Sequence, residues 1–177
     1  MTDQAPASVT NFDEVDPAEH LARSAASLAA VEAMGDALAR GANNMGDYFH
    51  EDFAWRGNVG CGTKNGVAEF RRNWQLPLRA AFADRTYLTE RTLADGDWAA
   101  CFGAIEATHV GMFMGIPPTG KRVRIPYMDF WRVEDGRIAD NPVFVDFAAV
   151  CLQLGRDVFG GEGWEAFDRG EKEPPRL

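Results

Sequence analysis

The stretch "RVRIPYMDFWRV", Arg122 to Val133, decides what kind of fold this chain adopts. Val123, Ile125, Tyr127, Asp129, Trp131 and Val133 fall on one side of it, and Arg122, Arg124 and Arg132 on the other. That is the period of a strand with one buried face, not the longer period of a helix. The carboxyl of Asp129 therefore sits on the apolar, inward-looking face, where an unpaired charge is costly. It reads either as a hydrogen-bonded structural group or as a functional one.

Just upstream, "GIPPTGKR" (Gly115 to Arg122) has the glycine and lysine spacing of a phosphate-cradling loop. Three features argue against phosphate. Pro117 and Pro118 offer no N–H, Arg122 stands where a hydroxyl is needed, and a strand rather than a helix follows. The stretch reads instead as a stiff turn between two strands. Period-two patterning also marks "RTYLTERTL", "DWAACFGAIEATHVGMF" and "RIADNPVFVDFAAV", with turn signals at Asp95-Gly96-Asp97 and Asp135-Gly136. Pro126 and Pro142 call for sheet edges, bulges or strand starts.

Helical patterns come before the strands. "DPAE" (Asp16 to Glu19) is a helix start, followed by Ala-rich sequence to Gly41 with Leu21, Ala25, Leu28, Val31 and Leu38 along one face. A short second helix is predicted over "MGDYFHEDF" (45–53). A third runs from about Lys64 with Val67, Phe70 and Trp74 on a stripe and a break near Pro77. Helices followed by an antiparallel-type sheet give an α+β domain, a bent sheet around helices and open at one end. Residues 1–15 are expected to form a flexible arm, 16–155 a single domain, and 156–177 an extension with Trp164 and Phe167 as the candidates to dock and a mobile end.

The 177 residues are 46% hydrophobic and 25% charged, enough for one substantial core. A formal net charge of −9 disfavours nucleic acid and anionic membrane as partners. Cys61, Cys101 and Cys151 are isolated, so neither a disulfide framework nor a cysteine zinc site is indicated, and no other metal-ligand pattern appears. With no apolar run of membrane-spanning length and no leader-like start, the expectation is a cytoplasmic protein.

"ATHVGMFMGIPPTGKRV", "DFWRVEDGRIADNPVFVD" and Gln153-Leu154-Gly155, in this order, resemble the SnoaL-like polyketide cyclases and ester cyclases, within the nuclear transport factor 2-like superfamily. The resemblance covers roughly residues 20–155. It implies a cone-shaped curved mixed β-sheet wrapped around N-terminal helices (cystatin-like), with an open pocket, no cofactor, and a homodimer packed through the outer face of the sheet. It also implies a role for Asp146, which stands where the family's general acid/base precedes the Gln-Leu-Gly element. The apolar neighbours of Asp146 would raise its proton affinity toward neutrality; its structural alternative is a helix cap or strand-end residue. One departure stands out. Many relatives carry His-Trp where this chain has Asn141 and Pro142.

His109 is either a satisfied side chain or an orienting group for a substrate carbonyl or pocket carboxylate. Asn141 offers a hydrogen bond but no proton exchange near neutrality. Trp55, Trp74, Tyr127, Trp131 and Phe144 are the candidate pocket walls, suited to an apolar or aromatic small molecule. The leading expectation is a cofactor-independent enzyme closing or rearranging a carbonyl compound by aldol-type chemistry, with Asp146, Asp129 and His109 as catalytic candidates. A non-catalytic ligand-binding domain, or a hydrolase or dehydratase on the same fold, is the alternative.

Overall fold

Asp16 begins the first helix by accepting the Ala18 N–H at 2.9 Å, with Pro17 in the first turn where its missing donor costs nothing. Helix α1 spans Pro17–Arg40. In the computed structural model, which describes residues 16–40 and 44–175, its buried face is Ser24, Ser27, Val31, Met34 and Ala37. The predicted face is thus rotated: Leu21 is exposed, and two serines take the inner positions. Their hydroxyls explain why. Ser24 Oγ accepts the Gly96 N–H at 2.8 Å, and Ser27 Oγ donates to the Gly96 carbonyl at 2.8 Å. The first half of the helix is thereby pinned to a strand-connecting turn through satisfied buried polar groups.

Six strands follow: β1 (Phe49–Gly57), β2 (Thr63–Asn65), β3 (Phe82–Asp95), β4 (Trp98–His109), β5 (Arg122–Glu134) and β6 (Arg137–Val145). They form one mixed sheet in the order β2-β1-β6-β5-β4-β3, antiparallel except for the parallel β1–β6 pair. Helix α1 touches β3, β4, β5 and β6, so the sheet curves around it. The sheet is not closed, since β2 and β3 are its two edges.

The predicted helix over 45–53 is instead a 3₁₀ turn (Met45–Asp47) running into β1. Phe49, Phe53 and Trp55 all point inward from that strand. The next helical run consists of α2 (Gly66–Phe70), a π-helical segment (Arg71–Gln75) and α3 (Leu76–Ala81). The irregularity anticipated near Pro77 is this π segment, in which Leu76 N–H bonds back to the Arg71 carbonyl.

The two strand prolines lie in interior strands, not at edges. Each sits at a local gap in the ladder. The Pro126 carbonyl accepts the Asp146 N–H at 2.9 Å, so its missing donor faces past the end of β6. Continuing the β5–β6 register, Pro142 would oppose Phe130, where no backbone pair forms. The Asn141 side-chain amide donates to the Phe130 carbonyl at 2.8 Å instead.

Beyond β6, helix α4 (Phe147–Gln153) interrupts what the sequence presents as one long strand. Its Gln153 side chain lies along β5, accepting the Arg124 N–H and donating to the Arg124 carbonyl, both at 2.8 Å. A side-chain amide thus stands where a strand would be. The C-terminal extension is tied to the β4–β5 loop by Arg156, whose Nη1 donates to the Met114 carbonyl at 2.6 Å. A short helix α5 (Glu165–Asp168) buries Ala166, while Trp164, expected to dock, is 82% exposed. The arm over 1–15 lies outside the described residues.

The turn reading of "GIPPTGKR" holds. Phe113 and Ile116 exchange backbone hydrogen bonds around Met114 and Gly115, which have φ of 46° and 77°. Gly120 N–H then donates to the His109 carbonyl at 2.9 Å, closing the loop onto β4.

Candidate active site

The inward faces of β1, β3, β4, β5 and β6 enclose a cavity of about 790 Å³ with α1 and α3. This is within the size range of small-molecule sites, roughly 300–1,000 Å³. Its walls are mostly aromatic. Trp55 from β1 lies 4.4 Å from Trp74 of the π segment, centroid to centroid, and Phe70 packs against Trp55 at 6.0 Å. Tyr127 and Trp131 line it from β5.

Asp129 is the one carboxyl in this wall among the described residues. Strand register sets its surroundings: Cys101 is its partner on β4 and Val143 on β6. It is half-buried and lines the cavity. Burial pushes its carboxyl up to about 6, partly offset by the hydrogen bond from Asn141 Nδ2 to Oδ1 at 3.1 Å. Both amide hydrogens of Asn141 are thereby committed, one to Asp129 and one to Phe130. The Phe130 carbonyl fixes the amide's orientation, because only the nitrogen can donate there.

Tyr127 and Thr89 share a hydrogen bond of 2.9 Å two residues along the same face of β5. Burial pushes the Tyr127 phenol up to about 12, and the Cys101 thiol likewise to about 12, helped by the Asp129 charge. Both groups therefore stay protonated at neutral pH. The result is a carboxyl raised to about 6 beside a protonated hydroxyl, in a mostly apolar chamber. Such a site can take a proton from carbon and return one to oxygen.

Asn141, Trp55, Trp74, Tyr127 and Trp131 thus meet Asp129 in one cavity; the other candidates lie elsewhere. Asp146 is exposed and caps α4, its Oδ1 accepting the Ala149 N–H at 2.8 Å. It borders a separate groove of about 650 Å³ together with Met128 and Phe144. Phe144 faces that groove because β6 alternates, sending Val143 and Val145 inward. His109 is fully buried among Phe82 and Phe113, with Nδ1 3.1 Å from Thr119 Oγ1 and no partner for Nε2 among the described residues. It stands eight residues along β4 from Cys101, about 26 Å at strand rise. Among the described residues no cluster of three or more His, Cys, Asp or Glu is arranged to hold a metal, and no helix is long and apolar enough to cross a membrane.

Sequence reasoning missed Cys101 and Thr89 as cavity residues. Period two along β4 offers a signal for Cys101; Thr89 follows a bulge that resets the face of β3.

The SnoaL-like polyketide cyclase family model matches residues 29–154. The chain belongs to this family. Nogalonic acid methyl ester cyclase of Streptomyces nogalater is 28% identical over 125 residues, 69% of this chain and 91% of the relative. Aklanonic acid methyl ester cyclase DnrD of Streptomyces peucetius is 32% identical over 88 residues, 49% of this chain and 61% of the relative. Among solved structures, an NTF2-like protein from Burkholderia thailandensis superposes with a TM-score of 0.62 at 22% identity, over 73% of this chain and 98% of that one. AclR from Streptomyces galilaeus gives 0.62 at 23%, over 75% and 97%. These neighbours establish an NTF2-like fold for this member of the SnoaL-like family.

Proposed function

We propose that this SnoaL-like protein is a cofactor-independent enzyme acting on a carbonyl compound held in the aromatic cavity, with Asp129 as the proton-transfer group. The single observation that carries this is a lone carboxyl in the cavity wall, raised by burial to about 6. As carboxylate, Asp129 would remove a proton from carbon next to a carbonyl. The Tyr127 hydroxyl, kept protonated, would donate to the oxygen on which charge develops. The enolate carbon then attacks a second carbonyl of the same molecule. A C–C bond forms, and the alkoxide takes back the proton from Asp129. Stacking against Trp55, Trp74 and Trp131 would fold the substrate into that geometry. Asp146 is less suited to the role, because one of its oxygens is engaged in capping and it lies on the outer groove.

The test is turnover of Asp129→Asn on cyclase-type dicarbonyl substrates. General acid–base assistance is worth a factor of roughly a hundred to ten thousand. Loss on that scale with ligand affinity retained is expected. Ligand binding without turnover by the unaltered protein would favour a binding domain.

We also propose a homodimer through the outer sheet face. Phe102, Met128 and Phe144 are consecutive cross-strand neighbours there and are 41%, 49% and 52% exposed.

A further inference from the structure

Arginines line the aromatic cavity of a chain whose formal net charge is −9. Among the described residues, four charged side chains line the cavity. Asp129 is within, and Arg40, Arg79 and Arg85 come from three separate elements, the end of α1, α3 and the start of β3. Arg40 and Arg79 are exposed, as rim residues must be, and Arg85 is half-buried. On the sheet, Arg56, Arg122, Arg124 and Arg132 are each matched by a carboxylate. None of the three rim arginines has a carboxylate within ion-pair distance among the described residues. Arg85 spends one N–H on the Phe82 carbonyl and keeps the rest of its fork.

A chain of net charge −9 repels anions at long range. Three guanidinium groups lining one cavity, with no ion-pair partner among the described residues, oppose that field locally, and guanidinium forks suit carboxylate geometry. We infer that the cavity takes an anionic substrate, an aromatic carbonyl compound carrying a free carboxylate, with the rings against the tryptophans and the carboxylate at the Arg40–Arg79–Arg85 rim. This rests on the proposed use of the cavity as a substrate site. It sets a specificity that the methyl ester named for the two Streptomyces relatives would not satisfy, since esterification removes the charge.

The experiment titrates the protein with 9,10-anthraquinone-2-carboxylate and with its methyl ester, following tryptophan fluorescence at pH 8 in low salt. The two probes differ chiefly in charge. The acid is expected to bind about tenfold more tightly than the ester, the scale of one or two partly exposed charge-assisted contacts. Arg79→Gln combined with Arg85→Gln should remove that preference and leave ester binding within about twofold. Arg79→Lys should keep part of it, and added salt should weaken the acid alone. Equal affinity for both probes, equal loss of both in the Gln variant, or no binding of either overturns the inference. Asp129-dependent turnover of an ester with no preference for acids would overturn it while leaving the proposed function standing. A preference for the acid in a protein whose chemistry ignores Asp129→Asn would do the reverse.

Discussion

Asn141 donates to Asp129 at 3.1 Å with one amide hydrogen and to Phe130 with the other, so the residue that repairs the ladder at Pro142 also tunes the cavity carboxyl. This hydrogen bond favours the charged form of Asp129 against the burial that opposes it. Asn141→Leu removes it. The carboxyl should then titrate above about 6, and the rising limb of the pH–rate profile should move to higher pH. Stability should also fall by about 1–3 kcal/mol, because the Phe130 carbonyl loses its donor. Kinetics across pH 5–9 with urea unfolding read the two effects separately.

A second prediction concerns stability against pH. The Asp129 carboxyl binds its proton more tightly folded than its ordinary value of 3.8. The folded state therefore holds the extra proton, and this group makes stability fall as pH rises from about 4 to about 6. Raising the carboxyl from 3.8 to about 6 corresponds to about 3 kcal/mol. Asp129→Asn should abolish that fall. Its stability relative to the unaltered protein should improve between pH 4 and pH 7 in urea titrations. A constant difference would mean that the carboxyl is not raised.

Asp146→Ala tests the opposite assignment. Loss of a side-chain N-cap costs about 1 kcal/mol, in the range 0.5–2. Melting should show that loss while turnover stays within a few-fold. A hundredfold loss of turnover would return the catalytic role to Asp146.

Gln153→Ala should destabilise the domain by about 0.5–1.5 kcal/mol, since two hydrogen bonds to the Arg124 backbone are lost at an exposed site where water replaces them in part. Gln153→Glu should keep an acceptor for the Arg124 N–H while losing the donor to its carbonyl, and so cost less than Gln153→Ala or Gln153→Met. Urea unfolding of the three variants checks the order.

The proposed dimer predicts a doubled mass by light scattering at micromolar concentration, reverting to a single-chain mass in Met128→Glu/Phe144→Glu. A single-chain mass for the unaltered protein would remove the claim.

Strand β5 was readable from its sequence because one buried face imposes strict alternation, and that alone put Asp129, Tyr127 and Trp131 on a common inner surface. Strand β1 was not, for a physical reason. Phe49 and Phe53 are four apart, a spacing that puts two residues on one face of a helix and of a strand alike. Only Trp55, two further on, separates the readings. The end of β6 was blurred in the same way, since "VFVDFAAV" is apolar throughout and only Asp146 marks a helix start. The rim arginines carry no local pattern, because three distant segments bring them together. The face of α1 was misjudged because serine counts as polar until a turn arrives to satisfy it.

Gln153 stands in for a strand that has already ended, and Asn141 for a donor that proline lacks. Two of the sequence features by which this family is recognised, or from which this chain departs, therefore act as masonry. A chain bearing the Gln-Leu-Gly signature advertises how its sheet is finished at an open flank. The walls of the chamber, with Tyr127, Asp129 and the three arginines, come from other segments than that signature. A substitution in the signature is therefore a test of folding, and one at the cavity positions a test of the chemistry proposed above.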